Sequence, residues 1–314
     1  MTIFRSSRWS FGEAGQVGAQ KMKNWKIGII GIGMVGTPLK RWFEENGYKR
    51  GSDLFLYDID LQKKYFDNFN MADIIFIAVP TPRSSDGSCD LSAVVNALSK
   101  IINAAPKIIV IKSTVPPGTT ESFQNEFPQW KMLFNPEFLT EKQAWKDFTR
   151  PDRQIVGFTE QSLDAAHIVL SLLPKAPFMS PWGLDTYRQI RITATEAEVI
   201  KYGGNIHFVR KVNFANMLNL LCEKLKVNYE NIRQGMAADF RIGGSHLDVN
   251  HGGYRGFGGY CFPKDLDALI FFLKNSSISE GVKLLEADKD FNTELLKSQG
   301  LTIKDVSKHF GDTK

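Results

Sequence analysis

A chain of 314 residues with 43% hydrophobic and 23% charged side chains has ordinary globular composition and enough length for two domains that each bury a core. Its 39 basic and 34 acidic residues give a net charge of +5, spread rather than clustered, which argues against a nucleic-acid surface and suits anionic small molecules. The longest apolar run, Ile74 to Pro80, falls far short of the ~20 residues a membrane span needs, and the start, MTIFRSSRWSFGEAGQ, lacks the apolar core of a secretory signal. Cys89, Cys222 and Cys261 form no CxxC pair, so no disulfide framework is expected, and the expected compartment is a reducing cytoplasm.

Residues 1–24 show no periodicity and read as a loose extension, with Met22 a natural start just before the first strand. From Trp25 the apolar runs WKIGII, DLFLYD, ADIIFIAV, KIIVIKST, KMLFN, RQIVGF and YRQIRIT alternate with helical patterns, which predicts a parallel α/β sheet of Rossmann type over residues 25–194. Asp90 is placed to cap a helix with Leu91, Val94, Val95, Leu98, Ile101 and Ile102 on one face, and Pro116-Pro117 to open the next. Near Thr195 strand punctuation stops. TEAEVIKYGGNIHFVRKVNFANMLNLLCEKL predicts one long helix, interrupted or strained at Gly203-Gly204, as the base of a helical domain over 195–314. A glycine-dense loop at 251–259 and a short helical tail follow. The apolar face of the long helix exceeds what that tail can cover, so at least a dimer is expected.

Gly31-Ile32-Gly33-Met34-Val35-Gly36 follows the first strand and opens a helix, the arrangement that lets backbone approach a pyrophosphate at a helix N-terminus. Asp58 closes the second strand, where a carboxylate accepts from ribose hydroxyls and repels a 2′-phosphate, so NAD is expected over NADP, with Lys63 and Lys64 moderating the preference. The alternative is a glycine-rich structural turn. Cys261 lies in GFGGYCFPKD between a glycine run and Lys264, a context that gives a thiol access and in which a nearby cation can depress its pKa; a packed structural cysteine remains open on the residues alone. Cys222 reads as core and Cys89, in DGSCD, as incidental. Lys201 and Asn205 share a helical face, a feature equally compatible with solvated charge. Glu137 and Glu141 are four apart and would share a face if NPEFLTE were helical, as a general base or as turn caps. His246 and His251 flank a loop without ligands at zinc spacing, so no metal is expected.

Taken together, GxGxVGxPL, AVPTP, STVPPGT, NPEFLxE, PDRxxxG, AExxKYxxN with NFAN, RIG and GFGGYCFPKD resemble, in this order, the UDP-glucose/GDP-mannose dehydrogenase family from about Lys26 to about Asn292. The resemblance implies NAD-dependent oxidation of the primary alcohol of a nucleotide sugar to a carboxylate, in two hydride transfers through a covalent adduct on Cys261. It implies that Lys201, Asn205 and Asp265 hold the sugar and a water, and that Glu137 and Thr114 form a general-base assembly. NAD contacts are implied for Gly31 to Gly36, Asp58, Lys63, Val79, Pro80, Thr81, Pro82, Glu141 and Lys264. Sugar-nucleotide contacts are implied for Glu137, Phe138, Leu139, Glu141, Lys201, Asn205, Arg241, Gly252, Phe257 and Gly258, with Arg241 reaching a partner subunit and the long helix forming a dimer core.

Departures from the family pattern are Lys142 after the second glutamate, Arg255 in the glycine loop, and Met217 after the NFAN asparagine. Family members usually carry a third, Rossmann-like domain where this chain stops, so a partner supplying that lobe is a further expectation. Two rival readings stand beside this one: a catalytically idle NAD or nucleotide-sugar binding subunit, and a one-step 3-hydroxyacid dehydrogenase in which Cys261 is dispensable.

Overall fold

The computed structural model of the chain describes residues 25–102, 107–181, 191–250 and 252–307, with every side chain among them except that of Glu141. The 1–24 extension, most of the expected YRQIRIT strand and His251 lie outside the described residues.

The N-terminal part runs β1 (Ile27–Ile30), α1 (Gly36–Glu45), β2 (Leu54–Tyr57), β3 (Ile74–Ile77), α2 (Ser92–Ser99), β4 (Ile108–Ile111), α3 (Thr119–Glu126), β5 (Lys131–Phe134), α4 (Ala144–Thr149), β6 (Arg153–Ile155), β7 (Gly157–Phe158), α5 (Leu163–Leu172) and β8 (Phe178–Ser180). A six-stranded sheet has the order β2-β1-β3-β4-β5-β7; its first five strands are parallel and β7 is antiparallel to β5. β1, β3 and β4 are buried along their whole length because helices cover both faces, which is why they read as unbroken apolar runs. One apolar cluster fills each face of the sheet.

RQIVGF departs from expectation. It is two strands, β6 pairing with β8 and β7 with β5, and the chain changes partners at Val156, whose N–H donates to Ser180 O. The Asp90 cap is shifted by one residue: its carboxylate accepts from Ser92 N–H at 2.8 Å. Val95 and Ile102 are exposed, so the buried stripe of that helix is Val94, Leu98 and Ile101. Pro116-Pro117 precedes α3 without opening it, because Gly118, at φ 87°, is its N-cap.

The second part holds α6 (Ala194–Leu225), α7 (Tyr229–Ala237), α8 (Phe262–Asn275), α9 (Ser279–Lys297) and α10 (Ile303–Val306), more helix than the short tail expected. α6 opens with a capping box between Thr193 and Glu196 and runs 32 residues without a break. Gly203-Gly204 does not interrupt it. Each glycine costs about 1 kcal/mol relative to alanine, and burial of the adjoining Tyr202, Asn205, Ile206 and Val209 holds the helix through the pair. α6 touches α3, β5 and β7 at one end and packs on α8 and α9 through Ile206, Val209, Leu266 and Ile270. Among the described residues no helix is long and apolar enough to cross a membrane.

Candidate active site

Two cavities open beyond the carboxyl ends of the parallel strands, where β1 and β3 diverge to opposite sides of the sheet and a crevice must form. The first, about 790 Å³, is lined by Gly31, Gly33, Met34 and Val35 after β1, Asp58 and Lys63 after β2, Val79, Pro80 and Thr81 after β3, Thr114 after β4, and Lys264 of α8. Its glycines do different work. A Cβ on Gly31, at φ +90°, would lie 2.5 Å from Ala78 O, and one on Gly36 would lie 1.9 Å from Gly31 O. A Cβ on Gly33 would meet nothing within 4 Å. Gly31 and Gly36 therefore close the turn, and Gly33 keeps bare backbone facing the cavity at the start of α1. This cradle fits a dinucleotide pyrophosphate.

Asp58 accepts from Ile32 N–H at 2.7 Å, Asp60 N–H at 2.9 Å and Lys63 Nζ at 2.9 Å. Burial alone would raise its pKa, but those donors hold it below the usual carboxylate value. Of the expected NAD contacts, Ile32, Gly36 and Pro82 do not line the cavity. The Ile32 side chain is core, Gly36 packs against Gly31, and the Pro82 carbonyl accepts from Asp90 N–H. Glu141 begins a single 3₁₀ turn.

The second cavity, about 900 Å³, is lined by Phe138, Leu139, Lys201, Gly204 and Asn205, with Arg150, Arg153, Phe208 and His246 further out. His246 stacks on Phe208 with ring centroids 4.1 Å apart. Lys112, Glu137 and Cys261 line both cavities.

The shared wall is a set of buried polar contacts. Lys201 Nζ donates to Glu137 Oε1 at 2.9 Å and to its carbonyl at 2.8 Å. Burial alone would raise the Glu137 pKa, but Lys201 holds it below the usual range, so it is a carboxylate at neutral pH. Asn205 Nδ2 and Lys264 Nζ each donate at 2.6 Å to the two oxygens of Asp265, which is 1% exposed. Burial by itself would lower the Lys264 pKa, yet Asp265 raises it. Lys201 and Asn205 share a face of α6 as their spacing predicts, and that face is inside the protein. Glu137 and Glu141 do not share one, because 135–140 form no helix and Leu139 N–H folds back onto Glu137 Oε2 at 2.8 Å.

Cys261 is the N-cap of α8. The expected depression of its pKa does not occur: burial, reinforced by Asp265, pushes the thiol up to about 11, against the opposing effects of Lys201 and Lys264. Lys264 is paired with Asp265, whose charge acts on the thiol in the opposite sense and more strongly.

Four expected sugar-nucleotide contacts lie elsewhere. Arg241 pairs with Asp239 on the surface, Phe257 is core, Gly252 turns beside Tyr254, and a Cβ on Gly258 would lie 2.4 Å from Val306 O. In the opposite direction, Cys89, expected to be incidental, lies close to the site. Its Sγ sits 3.7 Å from Thr114 O, and it is close enough to Lys264 and Asp265 to feel both, with burial raising its pKa. Lys112 was also overlooked. Its Nζ donates to Asn135 Oδ1 at 2.6 Å, and burial lowers it to about 8. The available signal was a lysine ending a fully apolar strand, IIVIKST, where a charge has no reason to sit unless a cavity begins. Cys222 is buried core, as read. Among the described residues no group of three or more His, Cys, Asp or Glu side chains is placed to hold a metal.

Comparison with known proteins matches residues 56–171 to the NAD binding domain, and residues 195–294 to the central domain, of the UDP-glucose/GDP-mannose dehydrogenase family. The UDP-glucose 6-dehydrogenase of Rickettsia bellii is 36% identical over 231 residues, covering 71% of this chain and 50% of that protein. Its counterpart in Pseudomonas aeruginosa is 36% identical over 239 residues, covering 72% and 50%. The chain thus spans about half the length of the curated relatives it matches. The solved UDP-glucose dehydrogenase of Pyrobaculum islandicum superposes with a TM-score of 0.71 at 26% identity, covering 89% of this chain and 72% of that one. A UDP-D-ManNAc dehydrogenase from Pyrococcus horikoshii, 22% identical with a TM-score of 0.67 over 86% of this chain and 69% of that one, shares the fold. With both family domains in order along one chain and a cradle shaped for a dinucleotide, this protein belongs to the UDP-glucose/GDP-mannose dehydrogenase family.

Proposed function

We propose that the chain oxidises the C6 primary alcohol of a nucleotide sugar, UDP-glucose or a close analogue, to the carboxylate with two NAD molecules. The observation that carries this reading is the shared wall. Glu137 and Cys261 line both cavities, so a nicotinamide in one and a sugar in the other meet at a carboxylate and a thiol. A domain boundary near Thr195 then separates the dinucleotide half from the helical half.

NAD supplies a hydride acceptor when bound, and the remaining work falls to this chain. The alcohol loses a hydride and its hydroxyl proton to give an aldehyde; Glu137, ionised and held by Lys201, is the proton acceptor, with Thr114 lining the same dinucleotide cavity. The Cys261 thiol adds to the aldehyde carbon. Its proton must leave as the C–S bond forms, since at about 11 the thiol is not ionised beforehand. Lys201 and Asn205 donate toward the resulting oxygen. Loss of a second hydride to a second NAD gives the thioester, and water attacks the carbonyl carbon to release the carboxylate and restore the thiol. One alcohol and one water thus become one carboxylate with two NADH and three protons. Asp265 holds Asn205 and neutralises Lys264. Cytoplasm is the proposed compartment.

A homodimer is proposed through α6, where Phe214, Met217, Leu221 and Leu225 are 45–61% exposed at three- and four-residue steps. Arg241, unused by its own cavity, is then available to a second subunit.

The test is NADH yield per sugar. Two NADH per UDP-glucose, with a uronate product by mass spectrometry, is expected. Cys261→Ala should lose the aldehyde-to-acid half by several orders of magnitude, at least ~4 kcal/mol in barrier. Near-normal uronate from Cys261→Ala would rule out the covalent route.

A further inference from the structure

Two cations on the rim of the second cavity have no task in the chemistry above. Arg150 caps α4, Arg153 opens β6, and only Pro151 and Asp152 separate them. Both line the cavity that contains Cys261. Neither guanidinium has a hydrogen-bond or ion-pair partner among the described residues, although Arg41, Arg50, Arg83, Arg210, Arg233, Arg241 and Arg255 all pair with carboxylates. Nearby carboxylates do not serve them. Asp147 is taken by Thr140, whose N–H and hydroxyl donate to it at 2.8 and 2.5 Å. Asp152 is exposed and acts on Arg153 through its charge without hydrogen-bonding to it.

Arg153 is nonetheless fixed in place. Its guanidinium carbon lies 3.8 Å from the centroid of Phe138, whose ring is also 5.7 Å from Lys201 Nζ. Stacking occupies one face of the guanidinium and leaves the in-plane donors unused. Gly204 on α6 lies beside the guanidinium, where even a Cβ would make only ordinary contact, 3.6 Å from Arg153 Nη2. Burial of this half-buried cation costs stability and holds its pKa below the ordinary value, and the charge of the exposed Asp152 offsets that only in part. Such an arrangement is stable in an evolved pocket when a ligand brings the anion.

The charge of that anion follows from the cavity. At the reacting end Lys201 is matched by Glu137, and Lys264 by Asp265. Along the lining as a whole Lys112, Arg150, Arg153 and Lys201 outnumber Glu137, Asp147 and Asp152 by one charge, and the two guanidiniums are the forked donors on the rim, three residues apart. We propose that Arg150 and Arg153 form the clamp for the diphosphate of the sugar nucleotide, in the cavity that Cys261 also lines. This rests on the nucleotide-sugar reading above. Two guanidiniums complement a diphosphate in charge and in bidentate geometry. The Phe138 ring, shared by Arg153 and Lys201, sets the separation between the clamped phosphates and the reacting carbon.

The experiment is calorimetric titration of wild type, Arg150→Gln, Arg153→Met and the double variant with UDP-glucose, UDP, inorganic pyrophosphate and uridine, with NAD as the control ligand. Methionine keeps apolar volume against Phe138, and Arg150 is exposed, so Arg150→Gln tests the clamp even if Arg153→Met misfolds. Each single variant should weaken UDP, UDP-glucose and pyrophosphate by about 10- to 100-fold while uridine and NAD are unchanged. In turnover, KM for the sugar nucleotide should rise with kcat nearly constant, because the contact is the same in ground and transition states.

UDP binding by the double variant within about threefold of wild type overturns the clamp and leaves the dehydrogenase reading standing. Wild type that binds pyrophosphate through these arginines yet never reduces NAD keeps the clamp and sinks the dehydrogenase reading. Wild type that binds NAD but no phosphate-bearing probe overturns both.

Discussion

Replacing Asp265 by asparagine separates two effects that a simple loss-of-function reading would merge. Asp265 is 1% exposed, and its oxygens accept from Asn205 and Lys264 at 2.6 Å each. Asparagine keeps the shape and one acceptor but leaves the Lys264 ammonium, itself 5% exposed, without a counter-charge. Breaking one half of a buried pair costs about 3–5 kcal/mol, so the urea midpoint should fall markedly at pH 7. The same change removes the carboxylate that, after burial, does most to raise the Cys261 pKa, while Lys201 and Lys264 remain. The thiol of the less stable protein should therefore ionise at lower pH than about 11. Iodoacetamide labelling as a function of pH, read by peptide mass spectrometry so that Cys89 and Cys222 are counted separately, measures this directly. If Asp265→Asn unfolds more easily but the Cys261 profile does not move to lower pH, the electrostatic account of this site is wrong. Undiminished stability would mean the Lys264 charge is solvated, contrary to its burial.

Further predictions rest on other contacts. Burial raises Glu198 to about 7 from an ordinary 4.5, so the folded chain holds this proton longer than the unfolded one. Its contribution to stability is complete below pH 4.5 and lost as pH rises through 7. The stability difference between wild type and Glu198→Gln should shift by about 3 kcal/mol in the variant's favour from pH 4.5 to pH 8; a difference independent of pH in urea titrations would contradict this. Gly36→Ala must displace Gly31 and should cost about 1–3 kcal/mol or more, whereas Gly33→Ala should leave the melting temperature alone and weaken NAD binding by calorimetry. Equal stability losses in the two variants would break the distinction between turn and cradle glycines. Leu221→Glu should convert a dimer to a monomer in sedimentation, and a wild type already monomeric at micromolar concentration removes the α6 interface.

The parts of this molecule legible in sequence are those whose signal is local. β1, β3 and β4 announce themselves because both their faces are covered, so the apolar run is unbroken. The glycines after β1 are readable because backbone that must pass within van der Waals range of Ala78 O or Gly31 O admits no side chain. The split at Val156 is not legible, since no turn residue interrupts RQIVGF before it and only the partner strands differ on its two sides. The Cys261 pKa was read with the wrong sign for a similar reason. Lys264 is three residues away in sequence, but the carboxylate beside it and the burial of the loop belong to the folded state. Gly258 and Phe257 carry a family pattern whose structural duty here is to pack the loop against the 302–307 segment and Asn292.

What ties these pieces into one site is a single face of α6. Glu198, Lys201 and Asn205 recur at three and four residues, and each reaches a different element. Glu198 accepts from Gly118 N–H at 2.6 Å and from Thr120 N–H at 2.9 Å, fixing the N-terminus of α3. Lys201 holds Glu137 after β5, and Asn205 holds Asp265 on α8. A rigid helix rises 1.5 Å per residue, so these three anchor points are spaced about 5 and 6 Å along one rod. The groups beside the dinucleotide cavity and the helix bearing Cys261 therefore take their separation from α6 rather than from the loops that carry them. That also explains why Gly203-Gly204 is tolerated inside the helix. The buried anchors on either side already pin it.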